Sequence, residues 1–156
     1  MVTPTPIRVL VLEDNPVDAD LMARELRQSG IEAQVERVET ETEFVARLTP
    51  EPDLILSDYQ LPQFSGLQAL RLVRSRGLDV PFIIVSGSIG EDIAVEAMRE
   101  GADDDLLKDR TARLGPAALQ ALEKSRLRAE MRRAEAKLRE TDVKFRLIAA
   151  NIRDLF

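Results

Sequence analysis

The chain has 156 residues, 44% hydrophobic and 32% charged, with 22 Lys and Arg against 28 Asp and Glu and neither cysteine nor histidine. That length suits one domain with a modest appendage at ~150 residues per domain, and no run approaches the ~20 apolar residues of a membrane span. The missing cysteine excludes a disulfide scaffold, an iron–sulfur site and a thiol nucleophile; the missing histidine excludes an imidazole ligand, an imidazole base and a phosphohistidine in this chain.

Ile7–Leu12 is a short apolar run rich in β-branched residues that meets a polar turn, Glu13-Asp14-Asn15-Pro16, and reads as a strand feeding a helix. The helix should run from Val17 to Ser29 on Leu21, Met22 and Leu26, closed by Gly30. Val35–Val38 gives a short second strand. Thr40–Leu48 reads as a second helix, with Thr40 as its cap and Glu43 at the capping-box position. After Pro50 and Pro52, Asp53–Asp58 is an apolar strand ending in a carboxylate. Leu67–Arg76 is a third helix stopped by Gly77, and Phe82–Val85 is a fourth strand running into Ser86-Gly87-Ser88. Glu91–Glu100 is helical up to Gly101, and Asp105–Lys108 forms a weaker fifth strand. Strands alternating with helices indicate parallel βαβ units, so residues 5–123 read as an α/β, doubly wound, five-stranded domain.

Beyond Pro116 the chain runs to Asn151 with neither Gly nor Pro and is dominated by Ala, Leu, Arg, Glu and Lys. A helix of that length is ~54 Å long, longer than a small domain is wide, and is expected to project from it. Leu119 and Leu122 are expected to pack on the sheet. Beyond them, Leu127, Met131, Ala134, Leu138, Thr141, Phe145 and Ile148 step by 4 and 3 in turn, a heptad seam that points to a homodimer through this helix. Charge divides the same way: residues 1–115 carry 12 basic and 22 acidic side chains, residues 116–156 carry 10 and 6. The basic residues of the tail interleave with acids, so no nucleic-acid partner is expected. Met1 to Pro6 lacks the basic and apolar regions of a signal peptide, so a cytoplasmic location without membrane contact is expected.

Ligands of open parallel sheets bind beyond the carboxyl ends of the strands. Four strand ends carry polar residues there: Glu13 and Asp14, Asp58, Ser86, and Lys108. If the first and third strands are neighbours, ~4.8 Å apart, their three carboxylates converge and repel unless a cation neutralises them. Hard oxygen ligands in an open crevice favour Mg²⁺.

These segments resemble the receiver domain of bacterial two-component response regulators. The resemblance is carried by Val9–Asn15, by Asp53–Tyr59 with Leu61-Pro62 and Gly66, by Pro81–Gly87, and by Gly101-Ala102-Asp103-Asp104 leading to Lys108. It implies a flavodoxin-like sheet of order 2-1-3-4-5 and a non-enzymatic phosphoacceptor in a phosphorelay. Asp58 would take a phosphoryl group from a histidine kinase or phosphotransfer protein, with Ser86 and Lys108 on the phosphoryl oxygens. Glu13, Asp14, Asp58 and the Gln60 carbonyl would hold Mg²⁺. The tail from Leu138 to Phe156 resembles the linker helix that leads into a PAS sensor domain, which would make residues 124–156 a signalling helix in a longer protein.

Three positions depart from the family pattern. Asp105 stands where an aromatic switch residue is usual, Asp109 follows Lys108 in place of a cis proline, and Glu13 replaces the commoner Asp. A cis non-proline bond costs ~3 kcal/mol, so a trans bond or a strained loop is expected after Lys108. The alternative reading is a degenerate receiver, a docking or dimerisation module that works without phosphorylation. A Mg²⁺-dependent phosphatase would need a second acid two residues past the nucleophile, where Gln60 stands. A flavin-binding protein of this fold would need a phosphate-cradling loop after the first strand, which is absent.

Overall fold

The computed structural model describes residues 5–88 and 90–154, so Met1–Pro4 and the last two residues of the PAS-like segment, Leu155 and Phe156, lie outside the described residues. The chain divides into two units, Met1–Glu123 and Lys124–Phe156.

The first unit is built on a parallel sheet of order β2-β1-β3-β4-β5, as the sequence implied. Its strands are β1 (Ile7–Leu12), β2 (Ala33–Val38), β3 (Leu54–Ser57), β4 (Phe82–Ser86) and β5 (Asp104–Leu107). The helices are α1 (Pro16–Gln28), α2 (Glu41–Ala46), α3 (Gly66–Ser75), α4 (Glu91–Arg99) and α5 (Leu114–Asp154), with a 3-10 helix at Lys108–Arg113. Alternation along β1 divides the core in two. Leu10 and Leu12 join Phe44, Ile55, Leu70, Phe82 and Ile84 on one face, while Val9 and Val11 join Met22, Leu26, Leu56, Ile83 and Val85 on the other. Both faces being covered explains why β1, β3 and β4 are continuous apolar runs.

Local chemistry sets the helix ends. Asn15 caps α1 by accepting from Val17 N–H, and Pro16 fits the first turn. Thr40 accepts from Glu43 N–H, whereas the Glu43 carboxylate accepts from the Thr40 hydroxyl rather than from its backbone, so the capping box is half made. A complete capping box joins Ser65 and Gln68 at the start of α3.

Several expectations are corrected. β2 begins at Ala33, because all six residues pair with β1. Leu21 and Leu119 are exposed; the buried side chains are Ala19, Met22, Ala23 and Leu26 on α1, and Leu114, Ala117, Ala118 and Ala121 on α5. Small residues face the sheet there because the helix runs close to its neighbours: a Cβ on Gly115 would fall 1.6 Å from Ser29 Oγ. The last helix also begins before Pro116, which the first helical turn tolerates. The Lys108–Asp109 bond, by contrast, is trans as expected, and the bend that follows falls at Arg110.

In the second unit, residues 124–154 are helical, and Leu127, Met131, Leu138, Phe145, Ile148 and Ile152 are exposed. No helix is long and apolar enough to cross a membrane among the described residues.

Candidate functional site: an acidic crevice at the strand ends

The sheet order places the ends of β1 and β3 side by side, in register from Val9–Leu54 to Leu12–Ser57. Glu13 and Asp58 therefore leave adjacent strands at the same level. The backbone pins both, since Glu13 N–H donates to the Val38 carbonyl at 3.0 Å and Asp58 N–H to the Leu12 carbonyl at 2.9 Å. Ligand oxygens of Glu13, Asp14 and Asp58 lie within 4.8 Å of one another. Glu13 is fully buried, Asp58 is 8% exposed and Asp14 is open to solvent.

Lys108, just past β5, reaches across to these acids. Its Nζ donates to Glu13 Oε1 at 3.2 Å, to Asp58 Oδ2 at 3.1 Å and to Asp18 Oδ2 at 2.8 Å. Asp18 is a member of this cluster that the strand-end pattern does not single out. It sits in the first turn of α1, four residues after Asp14, where an acid is ordinarily read as a favourable partner of the helix dipole. The spacing of Asp14 and Asp18 was the available signal.

Burial pushes the Glu13 carboxyl up to about 7; the Lys108 hydrogen bond pulls it down, and the neighbouring Asp58 charge raises it again. Burial by itself would lower Lys108, yet its hydrogen bonds to Asp18, Asp58 and Glu13 hold the ammonium above the usual lysine range. One ammonium thus binds three carboxylates, with Asp14 beside two of them. Glu13 Oε2 lies 3.1 Å from the lysine nitrogen but accepts no hydrogen bond, a buried carboxylate oxygen left with capacity for a ligand. An all-oxygen acidic donor set with one orphaned oxygen fits a hard divalent cation such as Mg²⁺.

The other two expected residues stand differently. Ser86, the last residue of β4, is buried, but its hydroxyl donates to the Ser88 carbonyl at 3.3 Å rather than to Asp58. Gln60 approaches Asp58 through its N–H, 3.4 Å from Oδ1. Its loop is tight: Gln60 bridges Ser65, and Leu61 N–H donates to the Phe64 carbonyl at 3.1 Å. Gly66 makes that loop possible, since a Cβ there would lie 2.4 Å from the Asp58 carbonyl oxygen. Beside Asp14 opens a recess of about 370 Å³ walled by Thr40, Thr42, Pro62, Gln63 and Phe64.

Residues 9–120 match the family described as the response regulator receiver domain. The chain is 33% identical over 109 residues to the alkaline phosphatase synthesis transcriptional regulatory protein SphR of Synechococcus elongatus, covering 65% of this chain and 42% of SphR. It is 32% identical over 103 residues to the phosphate regulon transcriptional regulatory protein PhoB of Klebsiella pneumoniae, covering 65% and 44%. It therefore spans less than half the length of these relatives. A response regulator receiver domain protein of Clostridium thermocellum superposes with a TM-score of 0.69 at 27% identity, over 78% of this chain and 98% of that one. Fold, crevice and family match agree: this chain belongs to the response regulator receiver domain family.

Proposed function

We propose that Asp58 accepts a phosphoryl group from a phosphohistidine on a histidine kinase or phosphotransfer protein, and that the phosphorylated state is relayed through α5. Receiver domains as a class are phosphoacceptors rather than enzymes, and they bind Mg²⁺ at an acidic pocket. The observation that carries the reading is the lysine bridge: one half-buried ammonium joins Asp58, Glu13 and Asp18 at 2.8 to 3.2 Å.

In the proposed reaction an Asp58 carboxylate oxygen attacks phosphorus. The new P–O bond forms as the donor's P–N bond breaks, and the imidazole leaves with its electron pair and takes up a proton. Such transfer relies on positioning and charge neutralisation more than on covalent help. Lys108 supplies a fixed positive charge to the phosphoryl oxygens. Ser86 would turn its hydroxyl from the Ser88 carbonyl towards them. Glu13, Asp14, Asp58 and the Gln60 carbonyl would hold Mg²⁺, whose charge offsets that developing on the transferred group.

The histidine-free chain agrees with a donor on another chain or domain. We read residues 124–156, with their resemblance to a PAS lead-in, as the output segment, and a second copy of the chain as its partner. The test is phosphotransfer from a phosphorylated histidine domain. The label should be hydroxylamine-labile, as an acyl phosphate is, absent in Asp58→Asn, retained in Ser57→Ala and acquired more slowly in Ser86→Ala. A hydroxylamine-stable label would sink the reading.

One observation favours the phosphorylation-independent alternative. Asp105 stands where a rotating aromatic would be expected, lining an open recess with Ala94, Val95, Met98 and Arg99, and burial followed by the charge of Asp104 holds it above the usual carboxylate range. An Asp58→Asn protein that behaves as the parent does in every output assay would support that alternative.

A further inference from the structure

The exposed stripe of the second unit carries information about what covers it. Taken as heptads, Met131, Leu138, Phe145 and Ile152 occupy a positions, and Leu127, Ala134, Thr141 and Ile148 occupy d positions, over 3–4 heptads. All of the large members are exposed, Leu138 and Phe145 by 70% each. Thr141, the one polar side chain in the stripe, has its hydroxyl bound to the Lys137 carbonyl at 3.0 Å, so burying it would leave no unpaired donor. Ala134 at a d position lets a second helix approach closely.

Flanking charges decide which second helix fits. The g positions are Glu130, Lys137 and Lys144, and the e positions are Arg128, Glu135 and Asp142. In a parallel, in-register pair each g residue faces the e residue five positions on in the other helix. Lys137 then meets Asp142 and Lys144 meets Ala149. Glu130 meets Glu135, a repulsion softened because Arg126 already pairs with Glu130 within the helix. An antiparallel pair with the same stripe aligned sets g against g and e against e, so Lys137 meets Lys144 and Glu135 meets Asp142, each twice. Asp142 is shared with Arg146 at 3.2 Å, which leaves its second oxygen open.

We infer that residues 127–152 pair with a second copy of this chain as a parallel, in-register coiled coil, with Lys137 of each helix facing Asp142 of the partner subunit. The inference rests on the reading of α5 as the output segment and gives that segment an orientation. In a parallel pair the two N-terminal ends of the stripe lie together, so the helices share one direction of signal.

The test is sedimentation equilibrium of the whole chain carrying Lys137→Glu or Asp142→Lys. Each substitution turns two attractive pairs into two repulsive ones and should weaken dimerisation by about tenfold or more. A one-to-one mixture of the two variants should recover nearly the parental affinity as a heterodimer, because both cross-pairs are again of opposite sign. An antiparallel dimer predicts the reverse, since each substitution alone relieves a repulsion and strengthens association; that result overturns the orientation while leaving the dimer intact. A parent chain that stays monomeric overturns both, without touching the reading of Asp58. Because the chain has no cysteine, Met131→Cys gives a second readout: oxidation should cross-link it, and should leave Ala136→Cys, on the outer face, uncrosslinked.

Discussion

Lys108→Met removes the ammonium that hydrogen-bonds the side-chain carboxylates of both Glu13 and Asp58. Deleting one partner of a buried ion pair costs about 3–5 kcal/mol, because the remaining charge stays desolvated. Lys108 and Asp18 are 23% and 27% exposed, whereas Glu13 is fully buried, so water screens part of the loss and ~2–3 kcal/mol is the expected cost. For a domain of this size that corresponds to a fall in Tm of roughly 8–12 °C. The assay is thermal unfolding at pH 8 in chelator, then in Mg²⁺. In chelator the variant should melt well below the parent. Mg²⁺ should raise the variant's Tm by more than the parent's, because the metal no longer competes with an ammonium for Glu13 and Asp58. At pH 6 the deficit should shrink, since Glu13 can take up a proton. A variant as stable as the parent in chelator, or one whose response to Mg²⁺ equals the parent's, would refute this account of the crevice.

The remaining predictions follow from the same geometry. With Glu13 near 7 in the fold and near 4.5 unfolded, the folded chain holds the extra proton between those values. Its contribution is fully present below about pH 4.5 and is lost as pH rises to about 7, a slope worth ~3 kcal/mol that Glu13→Gln should remove in chelator melts. Asp105→Asn should raise Tm at pH 8 and lose that advantage at pH 4, because the raised carboxyl favours the fold only when protonated. Gly66→Ala must push a methyl into the Asp58 carbonyl 2.4 Å away; unfolding should show a loss of ~2 kcal/mol, and calorimetry should show weaker Mg²⁺ binding.

Much of the site was legible because parallel strands advertise their ends. β1, β3 and β4 are apolar runs buried on both faces, so the polar residues at the end of each run mark the crevice, which is where Glu13, Asp14, Asp58 and Ser86 stand. Asp18 escaped because a helix hides its function: an acid in a first turn has a sufficient local reason to be there. β2 is longer than Val35–Val38 because Ala33 and Gln34 take their extended form from pairing with Ile7 and Arg8 of β1 rather than from their own preferences. Leu119 was assigned to the sheet on hydrophobicity, yet Ala117, Ala118 and Ala121 lie on the buried face, where close approach favours small side chains. The need for Gly66 depends on a distance to a backbone oxygen eight residues earlier in the chain, which no local pattern contains.

The central claim is that Asp58 is the phosphoacceptor. Its most direct test is the intact mass of the chain after incubation with acetyl phosphate or phosphoramidate in Mg²⁺, in chelator, and with Asp58→Asn alongside. The account predicts a gain of one phosphoryl group in Mg²⁺, none in chelator and none in the variant. Equal gain in Asp58→Asn, or no gain from either donor in a folded protein that binds Mg²⁺, would contradict it.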